Sequence, residues 1–202
     1  MPDKALRTKE KIFHVAVQLF SERGYDKVSM RDIAAAVGIK ASSIYNHFCS
    51  KKELLESIYS FYTQNQERAG PDLGEVLRWV EDITQPWELL PMLDFHYPPE
   101  LEAVMDRIIV IAVQEINTDP ESERFIRENI FEIPNRYLRP MFQRMMELGK
   151  VEPFDIDAFL RLFNYFCFGA AALNVSPLKI GLENWGACLY LLFQMLRTKN
   201  DL

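Results

Sequence analysis

The segment from Ser29 to Lys52 constrains the fold of this chain most, because its pattern predicts two short helices joined by a tight turn. Ser29 can cap the first helix, and Asp32 follows three residues later, in the spacing of a capping box. Gly38 supplies the left-handed residue that ends this helix and turns the chain. The apolar residues between them repeat with helical spacing and share one face: Met30, Ile33, Ala34 and Val37.

The second short helix is predicted from about Ala41 to His47. It buries Ile44, with Phe48 just beyond it, and exposes small polar side chains: Ser42, Ser43 and Asn46. A short helix lined with hydrogen-bonding side chains and preceded by a turn suits the major groove of DNA. The segment therefore indicates a helix-turn-helix unit that reads nucleic acid.

The charges of the chain divide unevenly along its 202 residues. The formal net charge is −6, which by itself does not favour DNA binding. Residues 1–60, however, carry ten basic and seven acidic residues, whereas the rest carries 13 basic and 22 acidic residues. This asymmetry predicts a basic contact module on an acidic body. A surplus of three charges is a weak field, so it supports the motif without establishing it.

Composition and cysteine usage predict a cytoplasmic protein. The apolar fraction of 49% and the charged fraction of 26% are ordinary for a globular chain. Cys49, Cys167 and Cys188 are an odd number without metal-ligand spacing, which fits a reducing compartment. The charged N-terminus shows no signal-peptide pattern. The uncharged run from Leu162 to Leu178 is at the lower limit for a membrane span, and we expect a buried helix there instead.

The remainder of the chain predicts helices punctuated by proline and no strand of useful length. A first helix precedes the Ser29 segment at residues 4–23, and a longer one follows it from Lys51 to about Arg68. Pro134 is expected to kink or restart a later helix. Further helices are predicted at about 73–82, 98–117, 119–148, 155–174 and 182–198. We therefore predict an all-α chain of about nine helices.

The pattern over residues 8–60 resembles the N-terminal DNA-binding domain of tetracycline-repressor-type (TetR family) transcription regulators. The resemblance depends on dispersed positions that agree in register: Ala16, Leu19, Phe20, Gly24, Tyr25, Ser29, Ile33, Ala34, Gly38, Tyr45, His47, Phe48, Lys51, Leu54 and Leu55. It implies a three-helix helix-turn-helix DNA-binding domain at 1–50, followed at 51–202 by a helical effector-binding and dimerisation domain.

The resemblance also implies roles for individual residues. Contacts to DNA phosphates are expected from Ser29, Tyr45, His47 and Lys51, and Ser43 takes the usual threonine position of the recognition helix. Base edges are expected to be read by Lys40, Ala41, Ser42 and Asn46, since lysine can donate to guanine and asparagine can pair with adenine. The Lys40-Ala41-Ser42 opening departs from the common family pattern, so the operator sequence is not implied.

The same resemblance implies partners for the body. The last two helices, about 155–174 and 182–198, are expected to form a homodimer, which lets two recognition helices meet a palindromic DNA operator. The aromatic and methionine content is expected to hold a small apolar or amphipathic effector. The candidate ligand-binding residues are Phe95, His96, Met105, Tyr137, Phe163, Asn164 and Phe166.

Catalytic chemistry is not indicated by the sequence. The histidines are scattered, the Glu-x-x-His spacing of a di-iron bundle does not occur, and no phosphate-binding or nucleophile motif is present. We therefore expect no enzyme, no cofactor and no metal. The leading hypothesis is a ligand-responsive repressor. The alternative is a helical protein-interaction or small-molecule carrier protein that keeps the head domain without specific DNA binding.

Overall fold

The computed structural model describes residues 4–88, 97–175, 190, 192–194 and 196, and every regular element among them is helical. In chain order these elements are α1 (Lys4–Arg23), α2 (Met30–Val37), α3 (Ala41–Ile44), α4 (Lys51–Ala69), α5 (Leu73–Asp82), α6 (Pro99–Glu115), α7 (Pro120–Ile126), a π-helix (Arg127–Glu132), α8 (Ile133–Glu147) and α9 (Ile156–Val175). The prediction of an all-α chain is confirmed. The predicted helix at 182–198 lies largely outside the described residues.

Two compact units make up the chain. The first contains Met1–Arg68 and Tyr97–Ile126, and the second contains Ala69–His96 and Arg127–Leu202. The first unit thus holds the helix-turn-helix segment together with α4, α6 and α7. Our functional boundary at residue 50 stays a prediction. Among the described residues, no helix is both long and apolar enough to cross a membrane.

The core of the first unit forms where the predicted apolar faces meet. α1 packs against α2 and α6, and α6 packs against α7. Ile12, Phe20, Ile33, Ile44 and Leu54 are each fully buried. Burial of such a side chain contributes roughly 1.5–3 kcal/mol, so this shared core fixes α2 and α3 against α1 and α4.

A buried polar contact joins α4 to α7 within the first unit. The Tyr59 hydroxyl and the Ser122 hydroxyl lie 2.6 Å apart, and Ser122 donates to the Asp119 carboxylate at 2.8 Å. Burial raises the pKa of Tyr59. The Tyr59 ring also stacks on Phe125 with 4.5 Å between centroids. These contacts hold α4 against α7.

Aromatic packing forms the core of the second unit. The Phe142 ring of α8 meets Phe159 of α9 at 4.8 Å and Phe154 of the preceding loop at 5.4 Å. Phe193, one of the described C-terminal residues, is fully buried against both Phe142 and Phe159. α5 packs against α8 to complete the cluster.

Proline explains the irregular helix before α8. Pro134 cannot donate to the carbonyl of residue 130, and its ring crowds that carbonyl in an α-helix. The chain forms a wider π-helical turn over Arg127–Glu132 and resumes as α8 at Ile133, which is the restart expected from Pro134. Pro140 is accommodated inside α8, within the helix predicted at 119–148.

Candidate nucleic-acid interface

The helix-turn-helix segment begins with the capping box that the sequence predicts. The Asp32 backbone N–H donates to Ser29 Oγ at 3.2 Å, while the Ser29 N–H and hydroxyl donate to the Asp32 carboxylate at 2.8 and 2.5 Å. These hydrogen bonds hold the pKa of Asp32 below its ordinary value. At the other end of α2, Gly38 has a φ of 79° and donates to the Ala34 and Ala35 carbonyls. Both ends of α2 are therefore fixed by local hydrogen bonds.

The recognition helix α3 is shorter than predicted. It ends as an α-helix at Ile44 rather than at His47. Beyond it, the Asn46 and His47 N–H groups donate to carbonyls three residues earlier, at 3.3 and 3.0 Å. The last turn therefore tightens, as is common where a helix ends. Ile44 and Phe48 are buried at 0% and 2% exposure, as expected, and they anchor this turn from below.

The outer side of α3 presents the predicted polar residues. Lys40, Ala41, Ser42, Tyr45 and Asn46 are exposed, whereas Ser43 and His47 are half-buried. Tyr45 leaves half of its surface exposed, at 50%, which is high for a large aromatic side chain. The hydrogen-bonding groups of this turn therefore face the solvent, while the buried Ile44 and Phe48 hold it against the core.

Part of the hydrogen-bonding capacity of Lys51 is used within the protein, by Tyr25. Its ammonium donates to the Tyr25 carbonyl at 2.9 Å and lies 4.0 Å from the centroid of the Tyr25 ring. Burial, aided by the charges of Asp119 and nearby acids, raises the pKa of Tyr25 to about 12. An ammonium group has three N–H donors, so Lys51 can keep this contact and still donate to a phosphate.

An open depression of about 500 Å³ lies on the surface of the first unit, beside Lys51. Its lining consists of Asp26, Val28, Ser29, Met30, Arg31, Tyr45 and Lys51. Three residues predicted to contact phosphates thus line the same depression: Ser29, Tyr45 and Lys51. Their contacts with DNA stay a prediction. Arg31 was not among our predicted site residues. Its position in the first turn of α2, beside Ser29, is the signal that could have identified it, because basic groups near a helix N-terminus can share one phosphate.

The residues predicted to bind an effector are distributed differently. Met105 is buried in the first unit, whereas Tyr137, Phe163, Asn164 and Phe166 belong to the second unit. Phe163 is buried and the other three of that group are half-buried. Phe95 and His96 lie outside the described residues. The assignment of an effector site to these residues stays a prediction.

Comparisons with known proteins agree with the geometry of the head. Residues 12–58 match the family model described as "Bacterial regulatory proteins, tetR family". Over 48 residues the chain is 52% identical to the biofilm operon icaADBC HTH-type negative transcriptional regulator IcaR of Staphylococcus aureus (strain Newman). That match covers 24% of this chain and only 26% of the relative. This match therefore supports a relationship for the N-terminal DNA-binding region alone.

Two further matches extend over the body. The uncharacterized HTH-type transcriptional regulator YezE of Bacillus subtilis (strain 168) is 26% identical over 159 residues, which covers 76% of this chain and 78% of the relative. The solved structure of a putative transcriptional regulator from Saccharomonospora viridis in complex with choline is 18% identical, with a TM-score of 0.66. It covers 95% of this chain and 99% of its own, which shows the shared fold. Residues 12–58 thus form a domain of the tetR family of bacterial regulatory proteins, and the chain as a whole has the fold of the solved transcriptional regulators that it resembles.

Proposed function

We propose that the protein is a transcriptional repressor that binds a palindromic operator as a homodimer and is released by a small apolar or amphipathic effector. The observation that carries the proposal is the outer side of α3, where exposed polar groups stand above the fully buried Ile44. The major groove of DNA admits a helix of this kind, and its base edges can hydrogen-bond to the exposed polar groups. The staphylococcal relative is a negative transcriptional regulator of an operon, which supports repression as the direction of control.

The contacts to DNA divide into two groups. Lys40, Ala41, Ser42 and Asn46 are assigned to base edges because they are exposed along the start of α3 and the turn after it. The other residues are assigned to the backbone, where phosphate contacts fix register without reading sequence. These are Ser29, Ser43, Tyr45, His47 and Lys51.

Dimerisation is supported by the outer face of α9. Phe159 and Phe163 face the core, yet Leu162 and Tyr165 on the same helix are 48% and 71% exposed. A helix that is apolar nearly all round needs cover on both sides. A second copy of the chain supplies that cover if the helices at 155–174 and 182–198 form the interface. Such a dimer also doubles the weak positive charge of the head.

Binding of an effector is supported by the second unit, whose helices are lined with aromatic residues. The bacterial relative of the same fold holds choline, so the architecture accommodates a small molecule. An effector releases the operator only if it binds the DNA-free conformation more tightly than the bound one. We propose that the ligand acts through this difference in affinity.

Operator selection tests the proposal directly. Purified protein, without ligand and at low salt, is expected to enrich a near-palindromic sequence from random duplex DNA. Asn46→Ala and Lys40→Ala should each weaken binding to it by roughly 1–3 kcal/mol and relax preference at one base position. Gln143→Ala, which removes an exposed amide from α8, is the matched control and should bind as the unaltered protein does. Failure to enrich any sequence would favour the carrier or protein-interaction alternative.

A further inference from the structure

Three buried amide oxygens in the second unit have no hydrogen-bond partner among the described residues. One is Oε1 of Gln85, in the segment after α5. The other two lie on neighbouring helices: Oδ1 of Asn135, near the start of α8, and Oδ1 of Asn164, in the middle of α9. Buried polar atoms in folded proteins are nearly always paired, because an unpaired one has lost its hydrogen bonds to water without replacement. Two such atoms on neighbouring helices therefore indicate a missing partner.

Two ring contacts between the helices indicate that the asparagines lie at about the same level of the pair. The Phe142 ring meets Phe159 at 4.8 Å, and Phe131 meets Phe168 at 6.0 Å, so the two segments run antiparallel. Interpolation between these two contacts places Asn135 opposite residues 164–165. Packed helices have axes about 8–10 Å apart, so one small polar group between them can reach both amides.

The surroundings of the pair are apolar and irregular. Phe131 and Phe168 pack against each other one turn away, and Phe163 is buried next to Asn164 in the chain. The π-helix ends three residues before Asn135. Single π-helical turns within α-helices frequently mark functional sites, because they displace side chains from the regular helical face. A ligand at this level would meet aromatic rings with a polar end formed by the asparagines.

The charges nearby favour a neutral ligand. Glu132 and Asp157 are the acidic residues nearest to the two asparagines along these helices, and each is paired with an arginine. Arg127 donates to Glu132 at 3.1 Å, and Arg139 donates to Asp157 at 2.5 Å. Neither of these two carboxylates is therefore left unpaired to balance a cationic ligand. A neutral group satisfies the amides without an unbalanced buried charge.

We propose that Asn135 and Asn164 form the polar end of the effector site and bind the hydroxyl group of a neutral, otherwise apolar ligand. The inference rests on the proposed function in that it takes this ligand to be the effector. A hydroxyl group donates one hydrogen bond and accepts others. It can therefore donate to Oδ1 of one asparagine while it accepts from the other, whose amide is turned so that its NH2 group meets the hydroxyl oxygen; a group that only accepts or only donates cannot serve both.

Stability without ligand gives the first test. Replacing an orphaned amide with an apolar group of similar shape removes its desolvation penalty. Asn135→Leu and Asn164→Leu are expected to raise Tm by about 2–4 °C each, whereas the exposed control Gln143→Leu should leave Tm unchanged. Asn135→Ala and Asn164→Ala serve where leucine overpacks the site. A fall in Tm for both the leucine and the alanine variants would mean that the amides are already paired, and would overturn the assignment.

Binding of two isomeric probes gives the second test. 1-Octanol and heptyl methyl ether have the same atoms, but only the alcohol can donate a hydrogen bond. Equilibrium dialysis should show the alcohol binding at least tenfold more tightly, and Asn164→Leu should abolish that preference. Equal binding of the two probes, or binding of neither, would overturn the proposal.

Operator affinity measured in parallel separates this inference from the proposed function. Alcohol binding that leaves operator affinity unchanged would retain the site and contradict its role as an effector site. Failure of the unaltered protein to bind any operator would contradict the proposed function while the probe preference still stood. The matched ether controls for changes caused by the apolar chain alone.

Discussion

At the scale of single residues, Asp32 shows how the reading head is held. Its carboxylate accepts two hydrogen bonds from Ser29, which lower its pKa, and it stands at the positive end of α2. The same Ser29 is predicted to contact a DNA phosphate. The capping box therefore orients the serine before DNA arrives.

The lowered pKa of Asp32 predicts a pH dependence of stability. The ionised carboxylate stabilises the fold above its ordinary pKa of 3.8, and this stabilisation is lost as pH falls through the lower folded value. Asp32→Asn should therefore be less stable than the unaltered protein at pH 7, with a difference that shrinks as pH falls below 4. Urea denaturation at several pH values measures this. A difference that stays constant down to pH 2 would contradict the assignment.

Lys51 is expected to have two separable roles. Lys51→Met should lower Tm, because it removes the 2.9 Å hydrogen bond to the Tyr25 carbonyl. It should also reduce the slope of log affinity for DNA against log salt by about 0.9, since one phosphate contact is lost. Lys52→Met, at an exposed neighbour, is the control for charge. An unchanged salt slope with a lowered Tm would leave Lys51 a purely structural residue.

At the scale of elements, the turn between α2 and α3 depends on the backbone of Gly38. Its φ of 79° is left-handed, and a Cβ added there would meet no atom within 4 Å. The position is therefore restricted by conformation and not by space.

Gly38→Ala is expected to destabilise the protein by about 1–2 kcal/mol, the cost of a left-handed alanine. Gly38→Asn should be better tolerated, because asparagine adopts this conformation more readily. Chemical denaturation of the three proteins provides the comparison. Equal loss in both variants would indicate a steric cause and contradict the open space around the glycine.

Much of the fold could be predicted from the sequence because local signals determine it. The capping residues and Gly38 specify α2, and the regular apolar spacing specifies α1 and α4. The end of α3 at Ile44 was missed because three-residue hydrogen bonds extend the turn without a change in sequence pattern. The π-helix was missed for a related reason: Pro134 predicts an interruption but not which wider turn absorbs it.

The site was less predictable, because its contacts join distant segments. The contact of Lys51 with Tyr25 spans 26 residues, and no spacing rule indicates it. Asn164 was expected to orient a ligand, whereas Asn135 was not considered, since nothing in the sequence shows that both amides are buried without partners. Burial of this kind follows from helix packing.

At the scale of the whole molecule, the proposed function requires two copies of the chain. One head carries few excess positive charges, and α9 exposes Leu162 and Tyr165 on the side away from its core. Two-fold pairing through that face would explain both features, because it presents two α3 helices to two half-sites. The claim that the protein is a homodimer and the claim that its operator is palindromic therefore stand or fall together.

Sedimentation of the protein with its selected operator tests that claim most directly. We expect two chains per duplex at saturation, and a large loss of affinity when either half-site is scrambled. Tyr165→Lys combined with Leu162→Lys should yield monomers that keep their helical content but bind the operator weakly. One chain per duplex at saturation, or full affinity for a single half-site, would contradict the account.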